Sequence, residues 1–178
     1  MDRLRQYALV AGLAHRLRGK GSWCGETHLQ KATYFLQKLQ KVPVGFEFFL
    51  YKHGPFSFDL RDELTAMRSD GLLELRPQWP YGPSFVPTAK SRELRQHYSK
   101  TLKKYQKQLD FVSHSLGNRN VAELEKLATA LYITLEESMK SETQRAKRLH
   151  SLKPHVAVDD ALKAVKAVDV IIKASKQV

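Results

Sequence analysis

Apolar residues recur at helical spacing over most of this chain, and that periodicity restricts it to a mainly helical fold. Residues 3–18 place Leu4, Tyr7, Ala8 and Ala11 on one stripe and Val10, Leu13 and Leu17 beside it. This predicts a helix stopped by Gly19 and Gly21. Leu29, Ala32, Leu36 and Leu39, widened by Phe35, predict a second helix over about 26–40, ended by Pro43 and Gly45. The longest predicted helix runs from an N-cap at Thr88 to about residue 116. Its stripe is Leu94, Tyr98, Leu102, Tyr105, Leu109, Val112 and Leu116, a heptad seam from Tyr98 onward. Gly117 and Asn118 break it, and Asn120 with Glu123 has the pattern of a capping box. The helix that follows repeats the seam at Val121, Leu124, Ala128, Leu131 and Leu135. Two such helices joined by a tight turn are expected to pair as an antiparallel hairpin. Shorter helices are predicted at about 142–151 and 159–174, separated by Pro154.

The middle of the chain has a different texture. Phe46–Tyr51 is short, aromatic and partly alternating, which predicts a strand, with His53-Gly54-Pro55 turning the chain after it. Ser57 is placed to cap a third helix at about 57–69, with Leu60, Leu64 and Met67 inward and Gly71 at its end. Leu72–Leu75 and Ser84–Pro87 predict two further strands. Between them Pro77, Pro80, Gly82 and Pro83, with Trp79 and Tyr81, are expected to form a stiff exposed loop. Helix, helix, strand, helix, strand, strand is the order of a winged helix-turn-helix. The expected fold class is therefore mainly α (α+β). A winged-helix-like core with a small β-hairpin occupies residues 1–87, and a helical extension occupies 88–178.

The chain has 178 residues and carries 30 basic against 18 acidic side chains, a net charge of +12. That excess makes an anionic partner plausible and says nothing about fold. The single cysteine, Cys24, excludes an internal disulfide framework and a Cys-rich zinc module, and reads as a packed residue. No apolar run approaches the roughly 18 residues of a membrane helix. The N-terminal segment lacks the small-residue cleavage site of a signal peptide, so a soluble cytoplasmic protein is expected. The seven histidines show neither metal-ligand spacing nor a neighbouring cysteine pair, and no nucleophile elbow, phosphate loop or dinucleotide fingerprint is present. Neither enzymatic activity, cofactor nor metal is expected. A hydrolase built on His53 lacks a second catalytic group at recognisable spacing.

Residues 76–118 hold eight basic side chains against two acidic ones. Lys90, Arg92, Arg95, Lys100, Lys103, Lys104 and Lys107 are the candidate nucleic-acid contacts, four of them at i, i+3, i+4, i+7. The third helix is acidic, with Asp59, Asp62, Glu63 and Asp70 against Arg61 and Arg68. Carboxylates there argue against simple major-groove readout. The segment Tyr51–Ser57 has a structural reading as strand end, turn and helix cap. Its functional reading has Lys52 and His53, held on a rigid turn beside a helix N-terminus, contacting a phosphate or a partner carboxylate. Trp79 and Tyr81 are further candidate partner contacts, as aromatics on a stiff loop.

The stretch from Lys31 to Leu75 resembles the Panacea (SocA-like or GepA-like) antitoxin domain, and also uncharacterised bacterial proteins of the YwgA type. The resemblance rests on Lys31, Tyr34, Phe35 and Leu36, on Tyr51, Gly54 and Pro55, and on Ser57, Leu60, Leu64 and Gly71. It covers roughly residues 25–76 and implies an antitoxin or phage-defence-associated protein that works by binding, with no established catalytic residues. Two functions are therefore expected of this chain. One is a non-enzymatic module that binds nucleic acid or a nucleic-acid-associated partner. The other is a protein-interaction adaptor that neutralises an effector without touching nucleic acid. A helix over 88–116 would span roughly 43 Å at about 1.5 Å per residue. That exceeds a core of about 25–30 Å, so a homodimer through the helical extension is also expected, with internal cover by the terminal helix as the competing arrangement.

Overall fold

The computed structural model describes residues 1–79 and 81–178, with the backbone alone at Gln78 and Tyr81. The chain is mainly helical with two small antiparallel hairpins, as the periodicity predicts. Helix α1 (Arg3–Gly19) is buried without a break from Tyr7 to Ala14. A helix covered on every side must be apolar all round, and this one carries small residues where its neighbours approach. A Cβ on Gly12 would lie 2.8 Å from Leu102 Cδ2, so glycine sets the approach of the later helices to α1. Helix α2 (Glu26–Lys38) is buried from His28 through Leu36, between α1, the first hairpin and the later helices.

Strand β1 (Phe49–Tyr51) pairs with β2 (Gly54–Phe56), Phe49 opposite Phe56 and Tyr51 opposite Gly54. Two expectations are corrected here. The strand begins three residues later than Phe46, and Gly54-Pro55 is a returning strand, with Lys52-His53 as the turn. The first strand consequently forms its own hairpin and does not join the later one. Helix α3 (Phe58–Ser69) starts as predicted, with the Ser57 hydroxyl accepting from the Leu60 N–H. Strands β3 (Leu73–Gln78) and β4 (Tyr81–Pro87) then pair from Leu73↔Pro87 to Gln78↔Tyr81. The stiff loop expected over 77–83 is therefore mostly strand. Pro77 has no N–H to give the ladder, and the register shifts between Arg76 and Gln78 to accommodate it. Pro80 lies outside the described residues.

The single long helix expected from Thr88 is three: α4 (Ala89–His97), α5 (Ser99–Lys104) and α6 (Gln106–Leu116). Tyr98 (φ −97°, ψ 29°) and Tyr105 (φ −108°, ψ 19°) leave the α region. The N–H groups of both residues close the preceding turn, Tyr98 N to Leu94 O and Tyr105 N to Thr101 O, and their carbonyls accept from Leu102 N and Leu109 N to start the next helix. The rod bends twice and wraps α1, since a straight one would carry its stripe off the core. The helical hairpin with α7 (Val121–Leu135) is not the packing found. Helix α6 lies on α1 and α2, whereas α7 lies on α2, α8 (Glu142–Leu152) and α9 (Val158–Ser175). Leu109, Val112 and Leu116 are buried by α1 and α2, and Leu127 and Ile133 are buried too. Part of the apolar surface from which a dimer is expected is therefore covered within the chain, while Leu94, Tyr98, Leu102, Tyr105 and Tyr132 stay half-buried. The capping box of Asn120 and Glu123 is formed as predicted. Among the described residues, no helix is long and apolar enough to cross a membrane.

Candidate nucleic-acid interface

Bending α4–α6 around α1 brings basic residues together that are far apart in sequence. Arg16, late in α1, meets Arg92 and Arg95 of α4 and Lys103 of α5 in one recess of about 390 Å³, with Gln96 and Ser99 beside them. Arg16 donates through Nε to Asp110 Oδ1 at 2.7 Å and through Nη1 to the Gly12 carbonyl at 3.3 Å. Arg95 donates to the Ser91 carbonyl one turn back, at 3.3 Å. Neither Arg92 nor Arg95 has a carboxylate partner among the described residues. Burial pulls the Arg95 guanidinium below its ordinary range, and the charges of Arg16 and Arg92 pull it further. His15 is lowered by burial first and then by Arg95, Arg16 and Arg92. Of Arg16, Arg92, Arg95 and Lys103, Arg16 alone has a carboxylate partner among the described residues, Asp110. Guanidinium forks match phosphate oxygens in pairs, and the amide of Gln96 and hydroxyl of Ser99 supply neutral donors at the same rim.

Of the seven basic residues singled out from sequence, Arg92, Arg95 and Lys103 line this recess. Lys100 and Lys107 are exposed outside it. Lys104 sits over the Tyr105 ring at 5.2 Å, and the stem of Lys90 passes near Gly71. Arg16 and His15 were not among the sequence candidates. No local pattern marks them, because their partners arrive only when α4 and α5 fold back on α1.

The second group surrounds the β1–β2 hairpin, and here the motif residues converge. Lys31, almost wholly buried in α2, donates to the Pro55 carbonyl at 2.8 Å. Gln30 holds Ser57 by both backbone groups, each at 2.9 Å. Lys153, buried after α8, donates to the Lys52 carbonyl at 3.1 Å. His53 Nδ1 lies 2.8 Å from Glu125 Oε1 on α7. His53 is thus half of an ion pair when protonated, while the Lys52 side chain stays exposed. Trp79 stands almost entirely in solvent at the tip of β3. The side chain of Tyr81 lies outside the described residues. Helix α3 exposes Asp59, Asp62 and Asp70.

Comparison with known proteins finds no family model that matches this chain and no match among curated proteins.

Proposed function

We propose that this protein is a non-enzymatic, cytoplasmic module that binds nucleic acid through phosphate contacts in the recess between α1 and α4–α5. The observation that carries this reading is the convergence of Arg16, Arg92, Arg95 and Lys103 on one recess, with Arg92 and Arg95 lacking carboxylate partners among the described residues. Phosphate contacts supply sequence-independent affinity and a strong salt dependence. The exposed carboxylates of α3 oppose its entry into a groove, so backbone binding by α1, α4 and α5 fits the charge distribution better than base readout by α3.

The test is fluorescence anisotropy with a random duplex of about 20 base pairs. Four phosphate contacts correspond to a log–log slope near −3.6, or roughly a hundredfold loss of affinity between about 50 and 200 mM salt. Replacing Arg92 and Arg95 together by Ser should reduce the slope by about two charges. Binding that ignores salt, or an unchanged slope in the double variant, rejects this reading. The adaptor function has its own support in an exposed aromatic surface on the β1–β2 hairpin and the start of α3.

A further inference from the structure

The outer face of the β1–β2 hairpin carries rings that the fold does not cover. Tyr51, Phe56 and Phe58 form a closed triangle, with ring centroids 5.9, 5.6 and 5.2 Å apart. Tyr51 remains 55% exposed and Phe58 45%, and Phe49, on the same strand face as Tyr51, is 50% exposed. Scattered exposed aromatics are ordinary, but a contiguous group of them, here where the hairpin runs into the start of α3, marks an interaction surface.

The surroundings select the partner. Asp59 follows Phe58 directly, and Asp62 lies one helical turn further along α3 on the same face. Glu47 precedes Phe49 by two residues. Arg61 has its Cζ 4.6 Å from the Phe56 centroid and 6.0 Å from that of Phe58, and it is neutralised by Glu26 at 2.9 Å. Lys52 adds one cation at the hairpin tip. In a chain of net charge +12, this patch is locally acidic. A phosphate backbone is repelled here, whereas a cationic side chain is attracted both to the carboxylates and to the ring faces. Arg61 already displays that chemistry within the chain, a guanidinium stacked on the rings and paired to a carboxylate.

From this juxtaposition we infer that the Tyr51–Phe56–Phe58 surface is a docking site for a protein segment in which arginines alternate with aliphatic residues. The arginines lie over the exposed rings and pair with Asp59 and Asp62, and the aliphatic residues cover Phe49. This site is separate from the basic recess and does not rest on the nucleic-acid reading.

The probe is a fluorescein-labelled octapeptide alternating Arg and Leu, with the Glu-for-Arg peptide as control, both titrated by anisotropy. The expected result is at least about fivefold weaker binding of the Arg–Leu peptide to Phe58→Ser and to Asp62→Lys, with no change in Arg92→Ser. The acidic peptide, drawn to the basic recess, responds in the opposite way, to Arg92→Ser and not to Asp62→Lys. Asp62 is an exposed helical side chain, so its variant remains informative if Phe58→Ser fails to fold. Unchanged Arg–Leu binding in Asp62→Lys overturns the inference. So does a mass in sedimentation that falls from dimer to monomer in Phe58→Ser, which would assign the rings to a second copy. Loss of single-stranded DNA binding in Phe58→Ser likewise overturns it, since the rings would then be a base-stacking platform.

Discussion

The Lys31 ammonium donates to the Pro55 carbonyl at 2.8 Å, which ties the middle of α2 directly to β2. Burial dominates the environment of this lysine and lowers its pKa to about 8, against an opposing pull from Glu125 and a further push from Lys153. The folded chain therefore binds this proton less tightly than the unfolded chain, whose lysine titrates near 10.5. Between those values the unfolded state holds more protons, so stability attributable to Lys31 rises with pH. Cys24, raised by burial to about 12, and the raised tyrosines Tyr7 and Tyr34 have the opposite slope. They cancel when the wild type is compared with Lys31→Met. The stability difference between the two is expected to shift by about 2 kcal/mol in favour of the wild type from pH 8 to pH 10. Urea denaturation at both pH values measures it, and a constant difference would show that Lys31 is not desolvated.

Gly54 closes the same hairpin at φ +85°, and a Cβ there would come within 2.8 Å of Thr129 Oγ1. Gly54→Ala meets both backbone strain and overpacking, with an expected loss of about 2–4 kcal/mol. Adding Thr129→Ala removes the contact and leaves the strain. The double variant should recover part of the loss, and thermal unfolding of the three proteins shows whether it does. Full recovery would mean that the left-handed conformation carries no cost.

Arg145 is buried between α8 and α9, with both of its terminal nitrogens 2.6 Å from the two oxygens of Asp169. Asp169→Ala leaves a guanidinium in the helix interface without its counter-charge. A broken buried pair costs about 3–5 kcal/mol, but Asp169 is about a third exposed and water reaches the vacated side. A loss of about 2–4 kcal/mol is expected. Replacing both residues, Arg145→Met with Asp169→Ala, should be milder than the single change. A double variant that unfolds more readily than Asp169→Ala would contradict this.

Local signals in the sequence account for the helix starts and the central stripes. Ser57, Thr88 and Asn120 each receive the N–H bond that their positions before an apolar run predict. Lys31 and Pro55, far apart in the sequence, are joined by one hydrogen bond that no local pattern announces. Strand β2 was not legible, because three residues containing Gly and Pro have no strand character until Tyr51, Lys31 and α7 hold them. The bends at Tyr98 and Tyr105 were equally hidden, since a heptad spacing is satisfied by straight and bent helices alike. The basic recess depends on those bends. Sequence reasoning found Arg92, Arg95 and Lys103 from their local charge excess but could not bring Arg16 to them.

Asp110 provides the sharpest test of that recess, because it opposes the charge there without lining the recess itself. Its carboxylate pairs with Arg16 at 2.7 Å, and both side chains are partly exposed. An ion pair at such a site contributes only about 0–1 kcal/mol to stability, so Asp110→Asn should melt close to the wild type. Its effect on a polyanion should be larger and of opposite sign. Removing the carboxylate frees the Arg16 fork for phosphate and deletes a negative charge beside the recess. Duplex affinity is expected to rise about threefold at low salt, with the salt slope steeper by up to about one charge. Arg16→Ala, by contrast, removes a phosphate ligand and leaves Asp110 unneutralised, so affinity and slope should both fall. Anisotropy titrations of the two variants at several salt concentrations give both quantities. If Asp110→Asn weakens binding, or if the two variants move affinity in the same direction, the phosphate does not contact Arg16 and the recess is not the nucleic-acid interface.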